Sequence, residues 1–216
     1  MSVTTTDLNN YTLNDIDSRL PSNYLSTKRA LDIIAITTVL PFIAVIMVLT
    51  AIAIKLESSG NVFFWQKRVG MNGKVFNMLK FRSMTSDSEK HGSQFAQSDD
   101  MRVTRVGKFI RKFRVDELPQ MWNVVKGDMS IIGPRPEQES FVNEFNQTIP
   151  NYSLRHIVRP GITGLAQTEQ GYVADANGTV TKLRYDLYYI RNLSFMTDFQ
   201  ITLKTIYTIL TGFGAR

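Results

Sequence analysis

The chain has no cysteine among its 216 residues. That absence excludes disulfides, thiol catalysis and cysteine-ligated zinc or iron–sulfur clusters, and it fits a reducing compartment. Histidine is scarce as well. His91 and His156 lie far apart without metal-ligand spacing, so each is expected to be an ordinary loop or surface histidine rather than a catalytic base. Acidic residues are outnumbered, 19 against 25 lysines and arginines, for a net charge of +6. A basic body attracts phosphates of any kind, whether nucleic acid, anionic lipid or nucleotide. No platform of interleaved aromatic and basic residues accompanies the charge, so nucleic acid is not an expected partner. Apolar residues make up 43%, which excludes a disordered chain, and the length suits one compact domain.

One stretch lacks charge altogether. From Ile33 to Ile54, 22 residues pass without a charged side chain. As a straight helix they would cover about 33 Å, enough for a bilayer core. A soluble core helix seldom stays uncharged on every face for so long, so membrane contact is expected. Pro41 near the centre removes a backbone donor and predicts a kink. Lys28 and Arg29 precede the run, while Lys55, Lys67 and Arg68 follow it. Positive flanks at both ends favour a helix that enters the membrane, bends and returns to the same side. Residues 1–27 are polar, without a sustained apolar period, and read as a weakly ordered tail. Residues 28–56 read as the membrane helix and 57–216 as a cytoplasmic or interfacial domain.

Within that domain, Val62-Phe63-Phe64-Trp65 and Val75-Phe76-Asn77-Met78-Leu79 are predicted strands, with Asn72-Gly73 supplying turn chemistry. Residues 85–100 read as loop. Val106, Phe109, Ile110 and Phe113 fall at helical spacing, surrounded by Arg105, Lys108, Arg111, Lys112 and Arg114. Either a core helix with a solvated basic face or an interfacial helix would show this pattern. Leu183 to Arg191 and Phe199 to Phe213 are further amphipathic stretches, the second starting at Thr197-Asp198 and stopping at Gly212. The fold class is therefore α+β and mostly helical, with a small β element.

Chemistry concentrates at Arg114-Val115-Asp116-Glu117-Leu118-Pro119-Gln120. An acidic pair before a proline can simply open a helix, Asp116 capping it and Glu117 in its first turn. Cations elsewhere in the chain favour a second reading. Lys80 and Arg82 follow the second strand, and Arg111 lies five residues before Asp116. Arg135 is held between Pro134 and Pro136, which restrict its backbone. The guanidinium fork fits phosphate oxygens. One carboxylate could attack phosphorus while the other holds a metal.

These pieces resemble the bacterial sugar transferase family, the monotopic phosphoglycosyl transferases. The resemblance rests on Phe64-Trp65-Gln66-Lys67-Arg68-Val69-Gly70, Lys80-Phe81-Arg82-Ser83-Met84, Asp116-Glu117-Leu118-Pro119-Gln120 and Asn123-Val124-Val125-Lys126-Gly127-Asp128-Met129-Ser130. It extends through Gly133-Pro134-Arg135-Pro136, Arg159-Pro160-Gly161-Ile162-Thr163-Gly164, Asp186-Leu187-Tyr188-Tyr189 and Asn192-Leu193-Ser194. It implies transfer of a sugar phosphate from a UDP-sugar to a polyprenyl (undecaprenyl) phosphate at the cytoplasmic face of the bacterial inner membrane. It also implies a re-entrant helix broken at Pro41, with further helices lying in the interface. By the same resemblance Asp116 is the nucleophile, Glu117 helps hold Mg²⁺, Lys80, Arg82, Arg111 and Arg135 bind phosphate or nucleotide, and Asp186 lies near the site. Inner membrane lipids are the expected surroundings, and a homodimer is compatible with the family. The family commonly has Ser before the re-entrant proline, where this chain has Leu40; Thr37 or Thr38 is expected to supply the missing hydrogen bond. Glucose or galactose phosphate is the default cargo that the resemblance suggests.

Overall fold

The uncharged run forms the middle of a single helix, α1 (Ser22–Glu57). The computed structural model describes residues 20–85, 100–170 and 176–211. The first 19 residues of the expected tail and most of the loop expected at 85–100 lie outside the described residues. The helix begins at Ser22, six positions before the start read from the sequence, because Leu20, Tyr24 and Leu25 pack against the main core. At 36 residues it is long and apolar enough to cross a membrane. Its centre is bare: Leu40, Phe42, Val45, Val48 and Leu49 are exposed, whereas Ile36 and Ile54 are buried. The helix is assigned as continuous through Pro41, so the expected break is not marked as an interruption. Thr37 and Thr38 donate to the carbonyls of Ile33 and Ile34. Those bonds lie one turn before the Thr37 carbonyl that Pro41 leaves without its partner.

Both ends of α1 are tied to the same body. Near the start, Lys28 donates to Asp198 at 2.5 Å, Ser130 donates to Asp32 at 2.6 Å, and Arg29 donates to the Val124 and Val125 carbonyls. Near the end, the Glu57 carboxylate accepts from the backbone N–H groups of Arg105 and Val106. That contact places an anion at the start of α2 (Arg105–Lys112), where four N–H groups lack intrahelical partners.

Strands β1 (Phe63–Val69) and β2 (Val75–Phe81) pair antiparallel, Phe63 opposite Phe81 and Val69 opposite Val75. Asn72 and Gly73 take positive φ in the connection, as the turn chemistry predicted. Past α2, Arg114 adopts a left-handed conformation and turns the chain into a 3₁₀ helix (Val115–Gln120), which leads directly into α3 (Met121–Lys126). The free edge of β2 is closed by a side chain. Asn123, almost wholly buried, accepts from the Leu79 N–H at 2.9 Å and donates to the Asn77 carbonyl at 2.8 Å. Buried backbone groups need such partners, and here they fix α3 against the strand.

Two short parallel strands follow, β3 (Ser130–Ile132) and β4 (Gly161–Thr163). Their backbones cross so closely that a Cβ on Gly161 would lie 2.1 Å from the Gly133 nitrogen. Between them lie α4 (Glu139–Thr148) and a 3₁₀ helix (Tyr152–His156). After β4 come α5 (Leu165–Glu169), α6 (Ala176–Arg191) and α7 (Phe195–Thr211). The main core gathers Ile132, Val142, Tyr152, Leu187, Ile190 and Ile201 from all of these layers. His156 belongs to this interior and is 9% exposed, which corrects the expectation of a surface histidine; burial pushes its pKa down to about 3 and keeps it neutral. Helix α7 starts at Phe195, two positions before the predicted Thr197, because Ser194 accepts from the Thr197 N–H. Gly212, the predicted stop, lies outside the described residues.

Candidate active site

Asp116 and Glu117 sit inside the 3₁₀ helix rather than at a helix cap. The turn is set by Arg114 at one end and by the Asn123 lock on β2 at the other, so Glu117 faces Lys80 of β2. Lys80 Nζ lies 3.7 Å from Glu117 Oε1, and Arg135 donates to the same oxygen. Glu117 thus takes the close contacts. Asp116, its neighbour, makes no ion pair at contact distance among the described residues.

The surroundings drive the two carboxyls apart. Burial pushes Asp116 up, and the Glu117 charge adds to the rise; Lys80, Arg111 and Arg135 oppose it without cancelling it. Burial would raise Glu117 too, but the Arg135 charge, then Lys80, outweighs it and holds that carboxyl well below its usual range. Lys80 is itself lowered to about 8, by burial first and by Arg135 second. A stably ionised Glu117 thus stands beside a carboxyl of raised basicity.

Arg135 is held from behind. The Arg155 guanidinium donates to the Arg135 carbonyl at 2.8 Å and grips Asp186 through bonds of 2.9 and 2.7 Å. Burial pushes the Asp186 carboxyl up and the guanidinium on it opposes the rise. Asp186 therefore reaches the site through Arg155 and not directly. A parallel arrangement holds Glu137, which receives Lys182 and, at 3.5 Å, Arg68. Burial would raise Glu137, but Lys182, Arg155 and Arg68 keep it down at about 2.

Of the residues expected from the sequence, the structure brings Lys80, Asp116, Glu117 and Arg135 together. Arg111, in the last turn of α2, acts on Asp116 through its charge. Arg82 is turned elsewhere: it donates to the Ser58 and Ser59 carbonyls just beyond α1. Sequence reasoning missed Arg68, Glu137, Arg155 and Lys182. One signal was present, since Lys182 and Asp186 lie four apart on one helix face. Arg155 has a local partner in the Tyr152 hydroxyl, but the two that tie it to the site are 20 and 31 positions away.

Two adjacent carboxylates with Lys80 and Arg135 on one of them stand on the same body as an apolar helix long enough to cross a membrane. The chain matches the family described as bacterial sugar transferase over residues 23–212, and it belongs to that family. It is 57% identical over 204 residues to the UDP-N-acetylgalactosamine-undecaprenyl-phosphate N-acetylgalactosaminephosphotransferase of Aeromonas hydrophila, covering 94% of this chain and 48% of the relative. It is 42% identical to the UDP-glucose:undecaprenyl-phosphate glucose-1-phosphate transferase of Escherichia coli K12, over 83% of this chain and 39% of that protein. The corresponding enzyme of Caulobacter vibrioides is 39% identical, over 85% and 70%. The chain thus spans less than half of the Aeromonas and Escherichia relatives.

Proposed function

We propose that the protein is a phosphoglycosyl transferase that moves a sugar 1-phosphate from a UDP-sugar to undecaprenyl phosphate, as the first membrane step of exopolysaccharide or related glycan synthesis. The observation that carries this reading is the separation of roles at the acidic pair. Glu117 is neutralised by Arg135 and Lys80, while Asp116 beside it makes no ion pair at contact distance among the described residues.

In the first half-reaction an Asp116 carboxylate oxygen attacks the sugar-bearing phosphorus. The bond from that phosphorus to the bridging oxygen breaks, and UMP leaves with the electron pair. In the second, a phosphate oxygen of the lipid attacks the same phosphorus and releases the Asp116 carboxylate. A carboxylate is a weak nucleophile toward an anionic phosphate, so the phosphate charge must be masked. Arg135, Lys80 and Arg111 are the groups positioned to mask it. Lys80, lowered to about 8, also has a proton to give near neutral pH.

Mg²⁺ fits the donor set in a limited way. No cluster of three metal-ligating side chains occurs among the described residues. Mg²⁺ commonly uses one or two carboxylates and completes its shell with substrate phosphate oxygens and water. Glu117, ionised and with Oε1 already committed to cations, is the residue that would hold it, with Asp116 adjacent. When bound, the ion would neutralise diphosphate oxygens.

The attachment of both α1 ends to one body, with a bare apolar centre between them, supports a helix that dips into the cytoplasmic leaflet of the inner membrane and returns. The exposed Phe199, Leu203, Ile206 and Leu210 on α7 support a second contact with the interface. The test is UMP release from a panel of UDP-sugars with undecaprenyl phosphate in detergent. The N-acetylgalactosamine donor is the first to try, given the Aeromonas relative. Release by the native protein, with loss of both release and a covalent adduct in Asp116→Asn, is the expected result. Full activity in Asp116→Asn would overturn the assignment.

A further inference from the structure

Beside Glu117 the structure encloses a cavity of about 110 Å³ that the phosphate chemistry does not use. Its walls come from the turn at Arg114, the 3₁₀ helix (Glu117, Leu118), α3, β4, α5 and α7, the last giving Thr205, Thr208 and Ile209. Four threonines would suggest a polar chamber, but their hydroxyls are committed elsewhere. Thr168 donates to the Leu165 carbonyl, Thr205 to Ile201 and Thr208 to Lys204, at 3.0, 2.8 and 2.8 Å. Because Thr205 already donates to Ile201, Thr163 is the donor in its 2.8 Å contact with Thr205. The Gln167 amide nitrogen donates to the Ile162 carbonyl at 2.9 Å, while its buried Oε1 accepts no hydrogen bond among the described residues. With these donors engaged, much of the wall is methyl and methylene.

That chemistry discriminates among the groups a phosphoglycosyl transferase must hold. A pyranose or a uracil would bring several donors and acceptors against a mostly apolar wall, whose polar groups are few: Arg114, Glu117 and the Gln167 oxygen. Each polar group left without a partner there weakens binding. A small branched hydrocarbon strands nothing. Size agrees: an apolar cavity of about 150 Å³ in another protein holds benzene, so 110 Å³ suits five carbons. Position agrees as well. One end of the cavity is Glu117, next to the proposed nucleophile, and one wall is α7. The outer face of α7 is the apolar surface formed by Phe199, Leu203, Ile206 and Leu210. A lipid phosphate reaching Asp116 from the bilayer must place its first carbons beside the carboxylate pair while its chain runs back toward apolar surroundings.

We infer that this cavity seats the first isoprene unit of the lipid acceptor and so sets the acceptor phosphate against Asp116. The inference rests on the proposed transferase function. Its test is to fill the cavity. Thr208→Leu adds bulk from a buried position, and Ile209→Phe does so from a helix position that is 37% exposed and tolerates size. Loss or gain of one methylene in an apolar pocket is worth about 10- to 200-fold in kcat/KM. The expected result is therefore a KM for undecaprenyl phosphate raised about tenfold or more in both variants, with the KM for the UDP-sugar unchanged. Circular dichroism and gel filtration in detergent report whether each variant folds, and the exposed site of Ile209→Phe keeps the test open if Thr208→Leu does not. An unchanged lipid KM in a folded variant, or a raised UDP-sugar KM, overturns the inference. Failure of the native protein to release UMP from any donor overturns the function instead, so the two failures are distinct.

Discussion

Replacing Arg135 by Met removes the cation that contacts Glu117 while keeping a long apolar stem in place. Two unit charges about 4 Å apart interact by about 4 kcal/mol at an effective dielectric near 20. The Arg135 side chain is 26% exposed, and Lys80 remains 3.7 Å from the same oxygen. Solvent and that second cation reduce the loss to about 2 kcal/mol, which is about 1.5 pKa units. The sign is fixed by charge: removing a cation disfavours both carboxylates and raises the pKa of each. Asp116, already pushed up by burial and by Glu117, then protonates at a higher pH still. The acid limb of the kcat/KM profile should move upward, by less than the Glu117 shift because Arg135 is the weakest of the three cations acting on Asp116, so activity is lost earlier as the pH falls. Loss of one preorganised donor to the transferring phosphate should also lower kcat by about 10²–10³. UMP release measured from about pH 5 to 9 reads both quantities. A fall in kcat with the acid limb unmoved would refute the electrostatic coupling of Arg135 to the pair.

Asp186→Asn leaves the Arg155 guanidinium, 1% exposed, without its counter-charge and should destabilise the fold by about 3–5 kcal/mol, read by thermal unfolding in detergent. Pairing Asp186→Leu with Arg155→Met should recover much of that stability yet leave the Arg135 carbonyl unsupported, so low kcat in a stable protein is the expected outcome. Gly161→Ala should fail to fold or lose several kcal/mol, because its Cβ would sit 2.1 Å from the Gly133 nitrogen and neither backbone can retreat; a normal unfolding temperature would contradict the tight β3–β4 crossing. Glu117→Gln should weaken the dependence of rate on added Mg²⁺ more than it weakens sedimentation with membranes; an unaltered Mg²⁺ response would count against Glu117 as the residue that holds the ion.

Local patterns made several elements legible in advance. The second strand and the helix through Val106 and Ile110 lie within a residue or two of their expected places, while the first strand runs four residues past its expected end, to Val69. Turn chemistry and apolar period are properties of neighbouring residues. Within the expected stripe Ile110 is buried, while Phe109 and Phe113 remain exposed at 62% and 39%. Spacing identifies a face without saying whether protein or membrane covers it. The start of α1 was placed late for a related reason: Tyr24 is held by Asp198, 174 positions away, and no local signal carries that contact.

By itself the sequence determined the uncharged run, the acidic pair and the supply of cations, since each is written in consecutive residues and their charges. Only the tertiary structure decided which cations meet Glu117, that Arg82 turns to the end of α1, and that Arg155 holds Arg135 from behind. It also decided that the hydroxyls of four threonines lining one cavity are committed to other acceptors. The physical reason is that a hydroxyl or guanidinium commits to whichever acceptor the packed backbone brings within about 3 Å, and that choice is made by elements far apart along the chain.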